Sequence, residues 1–192
     1  MVNSYKNRYP QYDIELIKQN RNYGKGKAVQ TGVLASRAKL ILFADADGST
    51  PASELKRLES AIALGSDIAI GSRAKPSDIT RIKTVWYRKF LGRCFNFFVN
   101  KLILPELYDT QCGFKLFTAE SAHKIFFLQT LEGFGFDLEI LYLARKLNFQ
   151  IEEVPVNWVN VPGSKVNLVL DAMQMFQDIF TIKKTHHYLT KE

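Results

Sequence analysis

Cysteine is scarce in this chain, two in 192 residues. Cys94 and Cys112 stand in different segments without metal-type spacing, which points to reduced thiols in a cytosolic setting rather than a disulfide framework or a zinc module. Histidine is scarce too: three residues, two of them (His186 and His187) in a polar tail that reads as a solvated terminus. No uninterrupted apolar run reaches the roughly 18 residues of a spanning helix, and Met1 to Asn20 is too polar and charged for a signal peptide. Internal repeats and low-complexity segments are missing. So is any nucleic-acid module, whether paired aromatic motifs or a Cys/His finger; the expected partners do not include nucleic acid.

What is present is a hydrophobic content of 46%, enough for one domain with a real core over residues 1–192, and a net charge of +7. The charge is concentrated. Between Arg73 and Lys101 stand eight basic residues (Arg73, Lys75, Arg81, Lys83, Arg88, Lys89, Arg93 and Lys101) against the single acid Asp78, the equivalent of the whole excess. By charge alone such a patch suits a phosphate, an anionic lipid or nucleic acid, and with no nucleic-acid module present the first two are the expected partners.

The pattern alternates strand and helix. Ile14–Lys18 predicts a short strand, followed by a Gly24-Lys25-Gly26 turn into a helix reaching about Ala38. Those glycines either let a helix N-terminus approach a diphosphate or simply make a turn with solvated lysines. Leu40–Ala44 is apolar throughout and predicts a central strand covered on both faces. It delivers Asp45 and Asp47 to its C-terminal edge, where open α/β sheets bind ligands. Two hard carboxylates there suit a divalent ion on a diphosphate, or are ordinary strand-end acids. Ser49 or Thr50 is the expected N-cap of the next helix (51–64), with Pro51 in its first position. Asp67–Gly71 predicts another strand, placing Arg73 near the same edge. A helix is expected from Thr84 to Leu104, with Tyr87, Leu91, Cys94, Phe95, Phe98 and Leu102 on one face. A short strand follows the Asp109 loop, and a helix spans Phe136–Lys146. The alternating strand Ile151–Trp158 belongs at an edge because of Pro155. The last helix, Val166 to about Ile182, has Val166, Val169, Leu170, Met173, Phe176 and Phe180 as its apolar face. Together these predict an α/β fold with a mostly parallel sheet flanked by helices.

Several stretches occur in a fixed order: Asn20-x-x-x-Gly24-Lys25-Gly26-x-Ala28, Asp45-Ala46-Asp47-Gly48, Gly71-Ser72-Arg73, Asp109-Thr110-Gln111-Cys112-Gly113-Phe114-Lys115, Phe136-Asp137-x-Glu139, and Val156-Asn157-Trp158 with Gly163-Ser164-Lys165. In this the chain resembles the dolichyl-phosphate β-glucosyltransferases and their bacterial polyprenyl-phosphate relatives, members of the inverting GT-A (Rossmann-like) glycosyltransferases of family 2. The resemblance runs from about Ile14 to Ile182. It implies transfer of glucose from UDP-glucose to a dolichyl or polyprenyl phosphate. GDP-mannose as donor, or an inactive remnant acting as an interaction module, are the alternatives. It also implies Mg²⁺ or Mn²⁺ on Asp45 and Asp47, with Ser49 at a position for a further polar metal-shell residue. Gly24 and Lys25 are implied beside the nucleotide, Arg73 and Arg88 on the acceptor phosphate, and Asp109 at the reaction centre with Gln111 and Lys115 beside it. The implied setting is the cytoplasmic face of a membrane, bacterial inner membrane or endoplasmic reticulum, reached peripherally through two amphipathic interface helices. Family members open with a βαβ unit ending in an Asp-Asp-Gly-Ser-type turn. This chain lacks it, so the expectation is a fold partial at its N-terminus: the sequence is a fragment, or that unit is supplied separately, or the chain is inactive.

Overall fold

The architecture is built around β4 (Phe114–Thr118), not around the strand of the Asp-x-Asp acids. The computed structural model describes residues 2–83, 97–159 and 168–189. In chain order the elements are α1 (Val2–Arg8), α2 (Lys25–Ala35), β1 (Leu40–Ala44), α3 (Leu55–Ala63) and β2 (Ile68–Ser72). Then come β3 (Ile82–Lys83), β4, α4 (Ala119–Leu128), α5 (Phe136–Lys146), β5 (Ile151–Pro155), β6 (Trp158–Val159) and α6 (Leu168–Thr185). Residues 97–102 are also helical.

Four strands form one sheet in the order β1-β4-β2-β5, and β3 pairs with β6 in a separate two-stranded ribbon. β4 runs antiparallel to both neighbours, Phe43 facing Lys115 on one side and Ile70 facing it on the other. β2 and β5 are parallel. Strands β1, β2 and β5 therefore share a direction, as expected, but two of the three pairings are antiparallel and the sheet is mixed. Strand direction leaves no trace in hydrophobic periodicity, which reports only burial. β1 is an edge strand among the described residues, and Leu40 is 38% exposed while Ile41 and Phe43 are buried. β2 and β4 carry the continuous burial expected of covered central strands. β5 lies at the other edge, where Pro155 costs the sheet no ladder hydrogen bond.

The sheet separates two apolar layers. Ile68 and Ile70 of β2 face a large core with Phe126 of α4, Phe136 and Ile140 of α5 and Ile179 of α6. Ala69 faces a smaller one with Leu58 of α3, Leu116 and Val156. α5 is buried almost all round, including Asp137 and Glu139. Asn148, just past it, takes φ 60°, a left-handed position that asparagine tolerates as a helix stop.

Several expected elements differ. Ile14–Lys18 forms no strand: it joins no ladder, and Leu16 and Ile17 are 44% and 42% exposed. Pro51 precedes a short 3-10 turn (Ala52–Glu54) instead of starting an α-helix, and no side chain caps it. The expected helix from Thr84 lies outside the described residues until 97. On α6 the packed face is rotated: Asp178, Ile179 and Ile182 are buried, whereas Phe180 is 64% exposed. His186 is not in a solvated tail; it is 1% exposed.

Candidate active site

The C-terminal ends of β1 and β2 lie at one edge of the sheet, on either side of β4. The segment Asp109–Gly113 enters β4 between them and touches both. At the β1 end, the Asp45 N–H donates to the Gly113 carbonyl (2.8 Å). The Asp45 carboxylate occupies the space a Cβ on Gly113 would need, so any larger residue there would displace that carboxylate. At the β2 end, Asp109 meets Arg73 in a fork: Nε donates to Oδ2 (2.7 Å) and Nη2 to Oδ1 (2.9 Å), and the Arg73 backbone N–H adds a third bond (3.0 Å).

Arg73 and Asp109, assigned separately from sequence, are thus one unit. Burial opposes the Asp109 charge, but the Arg73 guanidinium overcomes it and holds the carboxyl below its ordinary range. Asp109 is therefore a fixed anion. It contributes stability above the ordinary carboxylate range that is lost as pH falls through its depressed value. Its loop is clamped from behind by Glu153 of β5, which accepts from the Tyr108 (2.8 Å) and Asp109 (2.7 Å) backbone N–H groups. Burial raises the Glu153 carboxyl despite those bonds. Trp158 of β6 lies 5.5 Å from the Arg73 guanidinium. Val159 donates its N–H to the Ser49 carbonyl (2.9 Å), tying the ribbon to the acid-bearing turn.

Asp47 is exposed, and its Oδ1 accepts from the Ser49 N–H (2.9 Å). Ser49 is buried at 6%. Lys25 sits at the start of α2 with Nζ 3.0 Å from Asp45 Oδ1 and 3.7 Å from Asp137 Oδ2. Burial alone would lower its pKa, but Asp137 and Asp45 outweigh it and raise it, so the ammonium is permanent. Lys115 is fully buried, paired with Asp137 and donating to the Cys112 carbonyl (2.8 Å). Enclosed in this way, its ammonium is paired with Asp137 and is not open to a ligand, contrary to the substrate-binding role expected of it. Gln111 donates its N–H to Asp109 (3.1 Å), and its side-chain Nε2 is buried with no partner among the described residues. Arg88 lies outside the described residues, as does Gly163-Ser164-Lys165.

The glycines of the Gly24-Lys25-Gly26 turn have a packing reason. A Cβ on Gly24 would lie 2.5 Å from the Glu132 carbonyl oxygen, and one on Gly26 2.6 Å from that of Leu131. Gly24 also has φ 104°. The turn and the 131–133 backbone are in direct contact, and Lys27 donates its N–H to Glu132 (3.1 Å).

Sequence reading assigned no role to Asp137, Glu153 or Glu139. In the first turn of a helix, Asp137 and Glu139 read simply as complements to the helix dipole, and Glu153 as one residue of an edge strand. Only their burial distinguishes them. Cys112 is buried against this site, and burial pushes its thiol up to about 12. In the folded chain the Cys112 peptide should stay unmodified by iodoacetamide at neutral pH and be alkylated in denaturant, as peptide mass spectrometry would show. Alkylation at equal rates in both conditions would contradict this placement.

The sequence model of glycosyl transferase family 2 matches residues 1–126. The chain belongs to glycosyl transferase family 2. This family 2 chain is 42% identical over 190 residues to a dolichyl-phosphate beta-glucosyltransferase of Dictyostelium discoideum, the match covering 95% of the chain and 58% of that relative. It is 38% identical to the Saccharomyces cerevisiae enzyme of the same name, over 95% of the chain and 58% of the relative. For the Homo sapiens one, identity is 35%, over 97% and 59%. It thus spans under two thirds of the length of these relatives. Its fold is shared with mannosyl-3-phosphoglycerate synthase from Rubrobacter xylanophilus, with a TM-score of 0.66 at 14% identity, covering 95% of this chain and 60% of that one. Glucosyl-3-phosphoglycerate synthase from Mycobacterium tuberculosis, solved in complex with Mn²⁺ and UDP-glucose, superposes with a TM-score of 0.58 at 14% identity, covering 92% and 58%. These neighbours establish the GT-A-like fold.

Proposed function

We propose that this chain carries the transfer site of a dolichyl-phosphate β-glucosyltransferase, moving glucose from UDP-glucose to a dolichyl or polyprenyl phosphate with inversion. The observation that carries this reading is the 109–113 segment, which links the Asp45 end of one strand to the Arg73–Asp109 pair at the end of another. Its support is the 35–42% identity to enzymes of that name over nearly the whole chain.

Asp45 and Asp47 fit a divalent ion: two hard carboxylates on one turn, with Asp45 35% exposed on its side chain and Asp47 open to solvent. Among the described residues no cluster of three or more metal-binding side chains exists, so diphosphate oxygens and water would complete the shell. Mg²⁺ or Mn²⁺ bound there would neutralise charge on the departing diphosphate. Lys25 supplies a fixed positive charge beside the same acid. The acceptor is a phosphate monoester, already anionic near neutrality. One of its oxygens attacks the anomeric carbon, the bond to UDP breaks, and the electron pair leaves with UDP, so a strong base is unnecessary. Asp109 then serves to aim Arg73. The fork uses two of the five guanidinium N–H groups, and the others are the candidates to grip the acceptor phosphate.

The acceptor lives in a bilayer, and no helix among the described residues is long and apolar enough to cross one. Peripheral contact is supported by exposed Phe97, Phe98 and Phe180, by Phe176, which stacks edge-on with Phe98 (5.2 Å), and by exposed Lys101, Lys183 and Lys184. The deciding experiment offers radiolabelled UDP-glucose or GDP-mannose with a short dolichyl phosphate and Mn²⁺. The 192-residue chain is assayed beside the full-length Dictyostelium relative as control. Glucosyl lipid is the expected product. Mannosyl lipid would replace the sugar assignment, and no transfer beside an active control would overturn the reading. Arg73→Lys, which keeps charge but loses the fork, should raise the acceptor KM about tenfold with the donor KM unchanged; an unchanged acceptor KM would remove Arg73 from the acceptor site.

A further inference from the structure

α6 ends at Thr185, and the next residue, His186, turns its ring into the interior. Its Nε2 donates to Oε1 of Glu139 (2.7 Å), a fully buried carboxylate on α5. Glu139 is more than a partner for that ring. Oε1 also accepts from the Thr130 N–H (2.9 Å) and hydroxyl (2.6 Å), and Oε2 from the Leu131 N–H (2.8 Å). These bonds fix the start of the loop whose Leu131 and Glu132 carbonyls lie against Gly26 and Gly24. Lys25, between those glycines, reaches Asp45.

We propose that His186 is a positioning residue for the donor turn, acting through Glu139 and the 130–132 backbone on Gly24-Lys25-Gly26. The inference rests on the reading of that turn as the nucleotide-diphosphate side of the site. Three features carry it. The contacts are contiguous, each link a hydrogen bond of 2.6–3.1 Å or a backbone approach that excludes a Cβ. Glu139 gathers all of its acceptor capacity on one loop and one ring, so losing the ring leaves a buried charge short of a donor. Among the described residues, no hydrogen bond or ion pair joins His186 to the sheet-edge site itself. Its Nδ1 has no partner among the described residues, so the Nε2 bond is the polar contact it contributes there.

The test compares the parent chain with His186→Phe, which keeps the ring volume and loses the donor, and His186→Gln, whose amide nitrogen reaches the Nε2 position. Ile182→Ala serves as a control that loosens the same helix by its packing alone. Hydrogen exchange is followed at residues 24–28 and 130–133, and binding of UDP with Mn²⁺ by calorimetry. In His186→Phe, exchange at both segments should quicken and the UDP Kd should rise about tenfold, a typical coupling between remote groups. His186→Gln should stay close to the parent on both readouts, and Ile182→Ala should lower the Tm without moving either. Should His186→Phe fail to fold, His186→Asn, whose amide stops short of Glu139, takes its place against the glutamine. Unchanged exchange in a chain that binds UDP overturns the proposal alone, as does a glutamine variant behaving like phenylalanine or an Ile182→Ala variant reproducing the whole effect. A parent chain that binds no UDP overturns the donor reading and this proposal with it.

Discussion

Asp47→Asn is expected to lower metal-dependent glucose transfer by about 100-fold or more, while the unfolding free energy stays within about 0.5 kcal/mol of the parent. Both halves follow from geometry. The side chain is exposed and its one described bond is Oδ1 accepting from the Ser49 N–H at 2.9 Å, which an asparagine oxygen can still accept. The turn should therefore survive. What is lost is half the anionic charge that the strand end offers a divalent ion. Initial rates against Mn²⁺ concentration, with chemical denaturation alongside, separate the two effects. Full activity at any Mn²⁺ concentration would remove Asp47 from the metal site. An equal loss of stability would make the effect a folding one.

Asp137→Asn should have the largest effect on stability, about 3–5 kcal/mol. Lys115 and Asp137 have side chains 0% and 1% exposed, and each is the other's ion-pair partner. Removing the carboxylate leaves the Lys115 ammonium in the core with the Cys112 carbonyl and little compensation. Desolvation of that charge, not the lost attraction alone, sets the cost. The double variant Lys115→Met, Asp137→Asn removes the stranded charge and should recover most of the loss. Urea denaturation of the two single variants and the double one measures the coupling. Additive losses would show that the two residues do not depend on each other.

The sequence was most legible where the chemistry is local. The β1 acids and Arg73 were placed at the sheet edge from strand–turn patterning, and they are there; Asp109 read only as a loop acid, and the family resemblance alone put it beside them. It could not show that Arg73 and Asp109 form one fork, because the two are 36 residues apart and meet only through β4. Nor could it show that β4 lies between β1 and β2, since a run such as Phe114–Thr118 reads the same in either direction. Lys115 illustrates the limit most clearly. In a motif it looks like a ligand for an anion; in the fold it is enclosed by the strand pairings on both sides and spends its charge on Asp137. The rotation of α6 has a similar origin. Its apolar residues cover more than one side of the helix, and the side that packs is selected by α5, where Asp178 fits against Gly135 and Ile179 enters the core.

The placement of β4 also acts as a ruler. With one strand between them, the ends of β1 and β2 are two interstrand spacings apart, roughly 10 Å. Asp45 and Asp47, proposed to hold the diphosphate, and Arg73, proposed to hold the acceptor, hang from those two ends. Their separation is thus set by backbone hydrogen bonds that no side-chain substitution can lengthen. If the proposed roles hold, a sheet with β1 and β2 adjacent would halve that spacing, and one more strand would widen it by half. The antiparallel insertion of β4 is therefore what sets the gap across which the proposed transfer would take place.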